Sequence, residues 1–578
     1  QQAAGSRQQA AGSRQQAAGS RQQAAGSRQQ AAGGLIGAGA GGGPEEPEKK
    51  TVLFVARSAV ALHRLLDLLP AFEGDHRVER RFCLVPGSDF GLDALTSLDR
   101  AGALTVPWDL ALTRSYDLIV AASPKGDLHL LDGPLALLPH GAGFNKTVDG
   151  EGSHDSASGL DPDYLLHDGE PIATVHALSH AGQVAQLAVA CPPAASRAVV
   201  VGDPTHDRIQ EYVPLRDRYR AALGTGDRRL VVLLSTWGRE SLLERRPGLA
   251  ERLCAELPVD EYQLAVVAHP NTHSDPGTFD LAARLPREVF LARPHEEWAA
   301  LLIAADAVVT DHGSTALYFA AAEDRPVLAA YDGGTELLPG TPMDVLLGSV
   351  PRLAPAGSLA AALAAYRPGS ARAAVSAAFD PGARDAALAR LRDALYPHLG
   401  LTPPDRPAEP LPLPAPRRPV APPPSFGVRV DFRDGRAHVE RRPARVDDPA
   451  PHHLAAEADA VGERAVRGAA LLYRRLWRGG PTPEEWTAGV LTHRGVCRTA
   501  AVILGPDHCV VRRLDDPDAL TDVRLEPLGG AGDRSPLPDP GAVLSAVHAV
   551  LGRGEGGAVT DFVCRVGPRV CRVRLNRS

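Results

Sequence analysis

Residues 137–146 read LLPHGAGFNK: an apolar run stops at Pro139, and His140, two glycines and Lys146 follow. Only four lysines occur in the chain, Lys49, Lys50, Lys125 and Lys146, and the remaining basic charge is arginine. Lysine carries a compact ammonium that can lose its proton, whereas arginine presents a permanently charged fork. A lysine retained so close to a histidine is therefore a chemical candidate. A histidine titrating near neutrality can take a proton from a hydroxyl, and Lys146 can neutralise a phosphate. The plainer readings are a loop histidine bonded to backbone and a solvated lysine. Gly141 and Gly143 permit close approach to the backbone.

Further candidates follow successive strand-like runs. Gly202, Pro204 and Asp207 stand in VGDPTHD, and Ser235, Thr236, Trp237 and Arg239 in LLSTWGRE. His269 and Pro270 end LAVVAHP, Asp311 to Thr315 form DHGST, and Asp332 lies in YDGG. In a parallel sheet all these turns share one edge, where ligands bind. In DHGST, Gly313 permits a tight strand-to-helix turn and Ser314 or Thr315 can cap the helix. The helix's free N–H groups and dipole then suit a diphosphate; the alternative is an ordinary N-cap.

The elements that must position these residues begin at Thr51. TVLFVA, RFCLV, YDLIVAA and LALLP alternate with helical stretches, and VHALSHAGQVAQLAVA reads as a helix. A second series follows: RAVVVG, RLVVLLS, YQLAVVAH, VFLA, DAVVT and PVLAAYD, closing with helical ARDAALARLRDALYPHL. Alternation of buried strands and helices predicts two tandem Rossmann-like α/β domains, 51–195 and 196–401. Residues 402–424 are proline-rich and read as a semi-rigid linker. Residues 425–578 mix strands with helices near 453–477 and 540–552, a small α+β domain. In residues 1–50 the repeats of QQAAGSR place Ala, Gly and Gln at every candidate seam position. That excludes a coiled coil and predicts a low-complexity, disordered head.

Composition narrows the classes. The 578-residue chain has net charge −7, which argues against a general nucleic-acid binder. No apolar stretch is long enough to span a bilayer. No G-x-x-x-x-G-K-[ST] occurs, which excludes a P-loop nucleotidase. Seven scattered cysteines fit a reducing compartment. Cys497, Cys509, Cys564 and Cys571 read as core thiols, not as zinc ligands, so neither metal nor cofactor is expected. The single methionine is Met343, so the chain is expected to be a fragment or to have an uncertain start.

Together the motifs resemble the CDP-glycerol glycerophosphotransferases of teichoic-acid synthesis, within the GT-B glycosyltransferases. The resemblance covers about 50–400 and rests on His140-Gly141 with Lys146, Gly202/Pro204/Asp207, Ser235-Thr236-Trp237 with Arg239, His269-Pro270, and Thr310-Asp311 with Ser314. It implies a nucleotide-linked donor, a hydroxyl acceptor of which lipid-linked forms are one class, and a cytoplasmic enzyme with peripheral contact at the inner membrane face as an option. It further implies His140 as base, His269 assisting at the transferring phosphate, and Arg239, Ser314 and Thr315 on the diphosphate. Asp332 matches an acidic residue after the last strand. Lys146 and Arg239 are displaced by two positions and one position from the family pattern, His312-Gly313 replace a tyrosine–serine, and Tyr318 replaces an aspartate. A nucleotide-sugar donor, epimerisation of a UDP-sugar, and a non-catalytic nucleotide-binding protein are the alternatives.

Overall fold

Strands buried on both faces need apolar side chains at every position instead of at alternate ones. The computed structural model follows that rule, and it describes residues 49–577 except 87–91, 149–156, 274–277, 384–385, 418–422, 424, 445–450, 477–479, 530–533 and 554–558. The repeats expected to be disordered fall in 1–48, outside the described residues. Strand β1 (Lys50–Ala56) is followed by helix α1 (Ala59–Leu68), β2 (Val78–Leu84), β3 (Leu104–Thr105), β4 (Leu118–Ala121), β5 (Leu135–Leu137), β6 (Val175–Leu178) and β7 (Ala198–Val200). They form one parallel sheet in the order β3-β2-β1-β4-β5-β6-β7.

The second half starts with helix α2 (Pro204–Tyr212) and strands β8 (Arg229–Ser235), β9 (Tyr262–Ala268) and β10 (Phe290–Leu291). Helix α3 (Trp298–Ala304), β11 (Ala307–Thr310), helix α4 (Thr315–Ala322) and β12 (Val327–Ala329) complete it, in sheet order β10-β9-β8-β11-β12. All its pairings are parallel. Two parallel sheets flanked by helices are what Rossmann-like halves require. Each sheet reverses its strand order once, between β1 and β4 and between β8 and β11. The crevice at such a reversal is where α/β sheets bind ligands.

Three boundaries differ from the sequence reading. VHAL is strand β6, not the start of a helix: its four residues are buried, and only Ala181–Ala190, capped by His180, is helical. AVV of RAVVVG is β7 and pairs with β6, so it closes the first sheet instead of opening the second. Helix α5 (Ala387–Leu399) crosses back, and its Leu388, Leu391, Leu395, Tyr396 and Leu399 sit in the first sheet's core.

Residues 402–417 lie against the body of the protein instead of hanging as a free linker. Prolines supply carbonyls but no N–H, and arginine forks take up those carbonyls. Arg77 donates to the Thr402 carbonyl and Arg392 to that of Arg406. Arg208 donates to the carbonyls of Leu411 and Pro412 at 2.8 and 2.9 Å, and Tyr219 Oη to that of Leu413. Arg417 pairs with Glu297, which precedes α3.

The C-terminal region is a closed barrel of nine strands running from Ser425–Arg433 to Arg569–Arg577. Helix α6 (Pro540–Leu551) shares one core with the barrel's inward residues. The stretch 453–477, expected helical, is two strands (His453–Glu457 and Leu471–Arg475) around a short helix. Its alanines favour helix locally, but burial of alternate side chains in the barrel overrides that preference. All seven cysteines are buried free thiols.

The barrel docks on the second half through Arg441, which is 4 % exposed. Its Nε and Nη2 donate to Asp260 at 2.8 and 2.6 Å, and Nη1 donates to Asp539 at 2.9 Å. Removing one member of a buried pair leaves a desolvated charge behind. Arg441→Ala should therefore destabilise the protein by about 3–5 kcal/mol in urea unfolding; a change under 1 kcal/mol would mean the pair is not desolvated.

Candidate active site

Both strand-order reversals open onto one cavity of about 320 Å³. The first sheet contributes Arg57 and Ser58 after β1, Ser123 to Lys125 after β4, and His140 and Gly141 after β5. The second contributes Ser235 to Trp237 after β8, His269 after β9 and His312 to Thr315 after β11. Seven residues expected from the sequence thus share one lining: His140, Lys146, Thr236, His269, Gly313, Ser314 and Thr315.

The LLPHGAGFNK loop leaves the first sheet and crosses to the second half. Ala142 is fully buried in the second half's core. The Thr147 N–H donates to the Glu336 carbonyl and the Leu338 N–H to the Asn145 carbonyl, both at 2.9 Å. Asn145 Nδ2 donates to the Ala142 carbonyl at 2.7 Å, while its Oδ1 accepts from the Met343 N–H at 3.2 Å. Gly141 approaches Ser314 so closely that a Cβ there would lie 3.1 Å from Ser314 Oγ. Lys146 therefore ends on the second half's wall. Its Nζ lies 3.2 Å from Thr236 Oγ1, 3.6 Å from Glu336 Oε2, and 5.3 Å from the centre of the Trp237 ring.

The two histidines are held in opposite tautomers. His140 Nδ1 is 3.3 Å from the Ala122 carbonyl, which can only accept, so Nδ1 carries the proton and Nε2 keeps its lone pair. The residue is exposed on the cavity wall, where the surrounding protein still withdraws solvent from the ring. That desolvation lowers its pKa, with the charges of Lys125, Arg64 and Lys146 adding to the effect. His269 Nδ1 instead accepts from the Asn271 N–H at 3.1 Å, which leaves Nε2 as a donor. Burial takes its pKa well below the ordinary value, reinforced by Lys146, His140 and His273. One imidazole is thus equipped to accept a proton and the other to donate a hydrogen bond.

Ser314 occupies the N-cap of α4 without using its side chain as a cap. Its hydroxyl lines the same cavity as Lys146, while the Ala316 and Leu317 N–H groups of the first turn donate to the Gly313 and Ser314 carbonyls at 3.3 and 3.0 Å. Asp311 lies beneath this wall and is fully buried. Its Oδ2 accepts from the N–H groups of Thr236 and Leu242 at 2.9 and 2.7 Å, and its Oδ1 from that of Gly313 at 2.9 Å. It therefore fixes the turns after β8 and β11 and offers no oxygen to a ligand. Burial raises its pKa despite those donors.

Besides Asp311, five expected donor residues lie outside the lining. Gly202, at φ 90°, and Pro204, in the first turn of α2, shape the crossing between halves. Asp207 is buried and accepts from the Ala387 N–H at 2.9 Å. Arg239 is exposed. Asp332 accepts from its own turn at Gly334 and pairs with Arg352. Among the described residues no cluster of three or more His, Cys, Asp or Glu side chains is disposed to hold a metal ion.

No protein-family model matches the chain, and neither does any curated protein sequence. Among solved structures it is similar to the wall teichoic acid polymerase TagF, at 13% identity and TM-score 0.43 over 61% of this chain and 89% of that one. It is also similar to S. aureus MnaA with UDP, at 13% identity and TM-score 0.40 over 61% and 98%. A third is Anabaena Alr3699/HepE with UDP-glucose, at 14% identity and TM-score 0.34 over 60% and 95%. Identities and overlaps this low say nothing of activity.

Sequence reading missed a buried network that joins the halves, of which Arg64, Thr205 and Tyr318 line the cavity itself. Arg64 on α1 donates through Nη1 to Asp203 Oδ1 at 2.7 Å and to Thr205 Oγ1 at 2.6 Å. Tyr318 on α4 donates to Asp203 Oδ2 at 2.9 Å. Burial opposes the charge on Asp203, but Arg64 outweighs it and holds the carboxyl below its usual range. The available signal was a charged pair, Arg64 and Asp67, which with His63 interrupts an otherwise apolar helix. Glu336 was also missed; it is an acid alone in the glycine- and leucine-rich loop GGTELLPG.

Lys146 lines the cavity and Arg239 does not, so if the cavity takes a nucleoside diphosphate their substitutions should differ. Lys146→Met should weaken nucleoside-diphosphate binding by about 1.5–3 kcal/mol, the scale of a charged hydrogen bond. Arg239→Ala should have a clearly smaller effect. Calorimetry showing the reverse order would move the anion site towards Arg239.

Proposed function

We propose that the chain is a transferase moving glycerol phosphate, or a related polyol phosphate, from a CDP-linked donor to a hydroxyl acceptor. The observation that carries the reading is the pair of oppositely protonated histidines across one cavity that also holds Lys146 and the start of α4. Lys146, Thr236, Ser314, Thr315 and the α4 N-terminus bind the diphosphate. His269 Nε2–H steadies an oxygen of the transferring phosphate. His140 Nε2 takes the acceptor's proton as the acceptor oxygen bonds to phosphorus and the phosphorus–oxygen bond to CMP breaks. Asp311 positions the wall and Gly313 allows its tight turn. Gly202, Pro204 and Asp207 hold the crossing between halves, and Arg239 and Asp332 have no direct role.

A nucleotide-sugar donor is the second reading. It is favoured by His312 and Gly313, which remove two hydroxyls that the resembled family's tyrosine–serine would supply. A calorimetric panel of CDP-glycerol, CDP-ribitol and common UDP- and GDP-sugars separates the two. The CDP-linked compounds should bind most tightly, and Lys146→Met should weaken them. A clear preference for a UDP- or GDP-sugar would replace the first reading with the second, and absence of binding throughout would overturn both.

A further inference from the structure

Glu336 belongs to the loop that meets LLPHGAGFNK, and its side chain is 12% exposed. Its Oε2 accepts from His312 Nε2 at 3.0 Å and lies 3.6 Å from Lys146 Nζ. His312 cannot swing away to another partner. Its side chain is fully enclosed, and Gly333, at φ +83°, presses on the ring so closely that a Cβ would lie 2.4 Å from Cγ. His312 Nδ1 is buried without a partner. A clamped imidazole thus aims one carboxylate oxygen at the lysine of the anion wall. At 3.6 Å that contact is longer than the 2.7–2.9 Å typical of a charge-assisted bond, so the carboxylate holds the ammonium loosely.

We propose that Glu336 is a positioning residue: it is the resident counter-ion of Lys146, and an incoming phosphate must displace it from the ammonium. This rests on reading the cavity as a diphosphate site. Without an anion bound, the carboxylate lies beside the ammonium and Thr236 Oγ1 accepts from it at 3.2 Å. When an anion binds, Lys146 exchanges one oxygen ligand for another, so the net gain from the lysine is set by how firmly Glu336 holds it. Burial opposes the charge on Glu336, but His312 and Lys146 outweigh it and keep the group a carboxylate across the neutral range.

Two readouts test this, one of which needs no ligand. Reaction of Lys146 with an amine-selective reagent, followed by mass spectrometry against pH, reports its proton affinity. Glu336→Gln and Glu336→Ala should both lower the Lys146 pKa by about one unit. Separately, Glu336→Gln should tighten pyrophosphate and CDP binding several-fold at low salt, and the gain should shrink when Lys146 is also Met. A Lys146 pKa unchanged in both variants would overturn the proposal. So would a gain that persists undiminished in Lys146→Met, since Glu336 would then act on the anion directly. A lowered Lys146 pKa in a protein that binds no nucleotide would uphold the counter-ion role while removing the transferase reading.

Discussion

His140→Ala should fold and bind the nucleotide donor as the parent does, yet lose turnover by about 10²–10⁴-fold, the usual contribution of a general base. The residue sits on the first sheet's edge, outside the Lys146–Thr236–Ser314 wall, so its removal takes no contact from the diphosphate. The hydrogen bond to the Ala122 carbonyl fixes the tautomer that leaves Nε2 able to accept. Because the surrounding protein lowers the pKa, the imidazole is neutral at pH 7, and kcat/KM should hold level as pH falls through 7, with its acid limb displaced below the ordinary histidine range. His269→Ala should lower turnover without moving that acid limb, since its Nε2 donates instead of accepting. Unchanged turnover in His140→Ala would leave LLPHGAGFNK a structural crossing alone.

A large loss of stability should accompany mild acid. Burial takes His176 on β6 to about 4, His453 in the barrel to about 3, and His548 on α6 to about 4. These groups are neutral in the folded protein and ordinary in the unfolded chain, where they bind protons below about 6.5. Proton uptake on the unfolded side means stability is fully present above that value and is lost as pH falls towards the folded values. The linkage gives about 2 kcal/mol for each histidine at pH 5, or about 6 kcal/mol together. Urea unfolding at pH 7 and pH 5 measures it directly, and His176→Asn or His453→Asn should flatten the dependence. Equal stability at the two pH values would show that these histidines are already protonated when folded.

Both parallel sheets were legible because a strand covered on two faces must be apolar throughout, as β1 and β8 are. What could not be read was membership. AVV of RAVVVG is an evident strand, but only pairing with β6 assigns it to the first sheet, and α5 is an evident helix whose apolar face gives no hint of its return across the halves. The barrel was hidden for a different reason: alanine-rich 453–477 satisfies helical preference until alternate residues are buried.

The site divides along similar lines. His140, Lys146, Thr236, His269 and Ser314 stood out because strand ends and glycine turns are local signals. Asp311 was legible as a site residue but not as one whose oxygens are consumed by backbone N–H groups. Glu336, Arg64 and Asp203 act through partners distant in sequence, and no local pattern records such pairings.

The nucleotide released during turnover tests the central claim most directly. With CDP-glycerol and a polyol-phosphate acceptor, attack at the distal phosphorus must release CMP and extend the acceptor by one phosphodiester, both visible by phosphorus NMR. The account predicts acceptor-dependent CMP release that is present in the parent protein and lost in His140→Ala. Release of a nucleoside diphosphate from a sugar donor, with CDP-glycerol left intact, would contradict it.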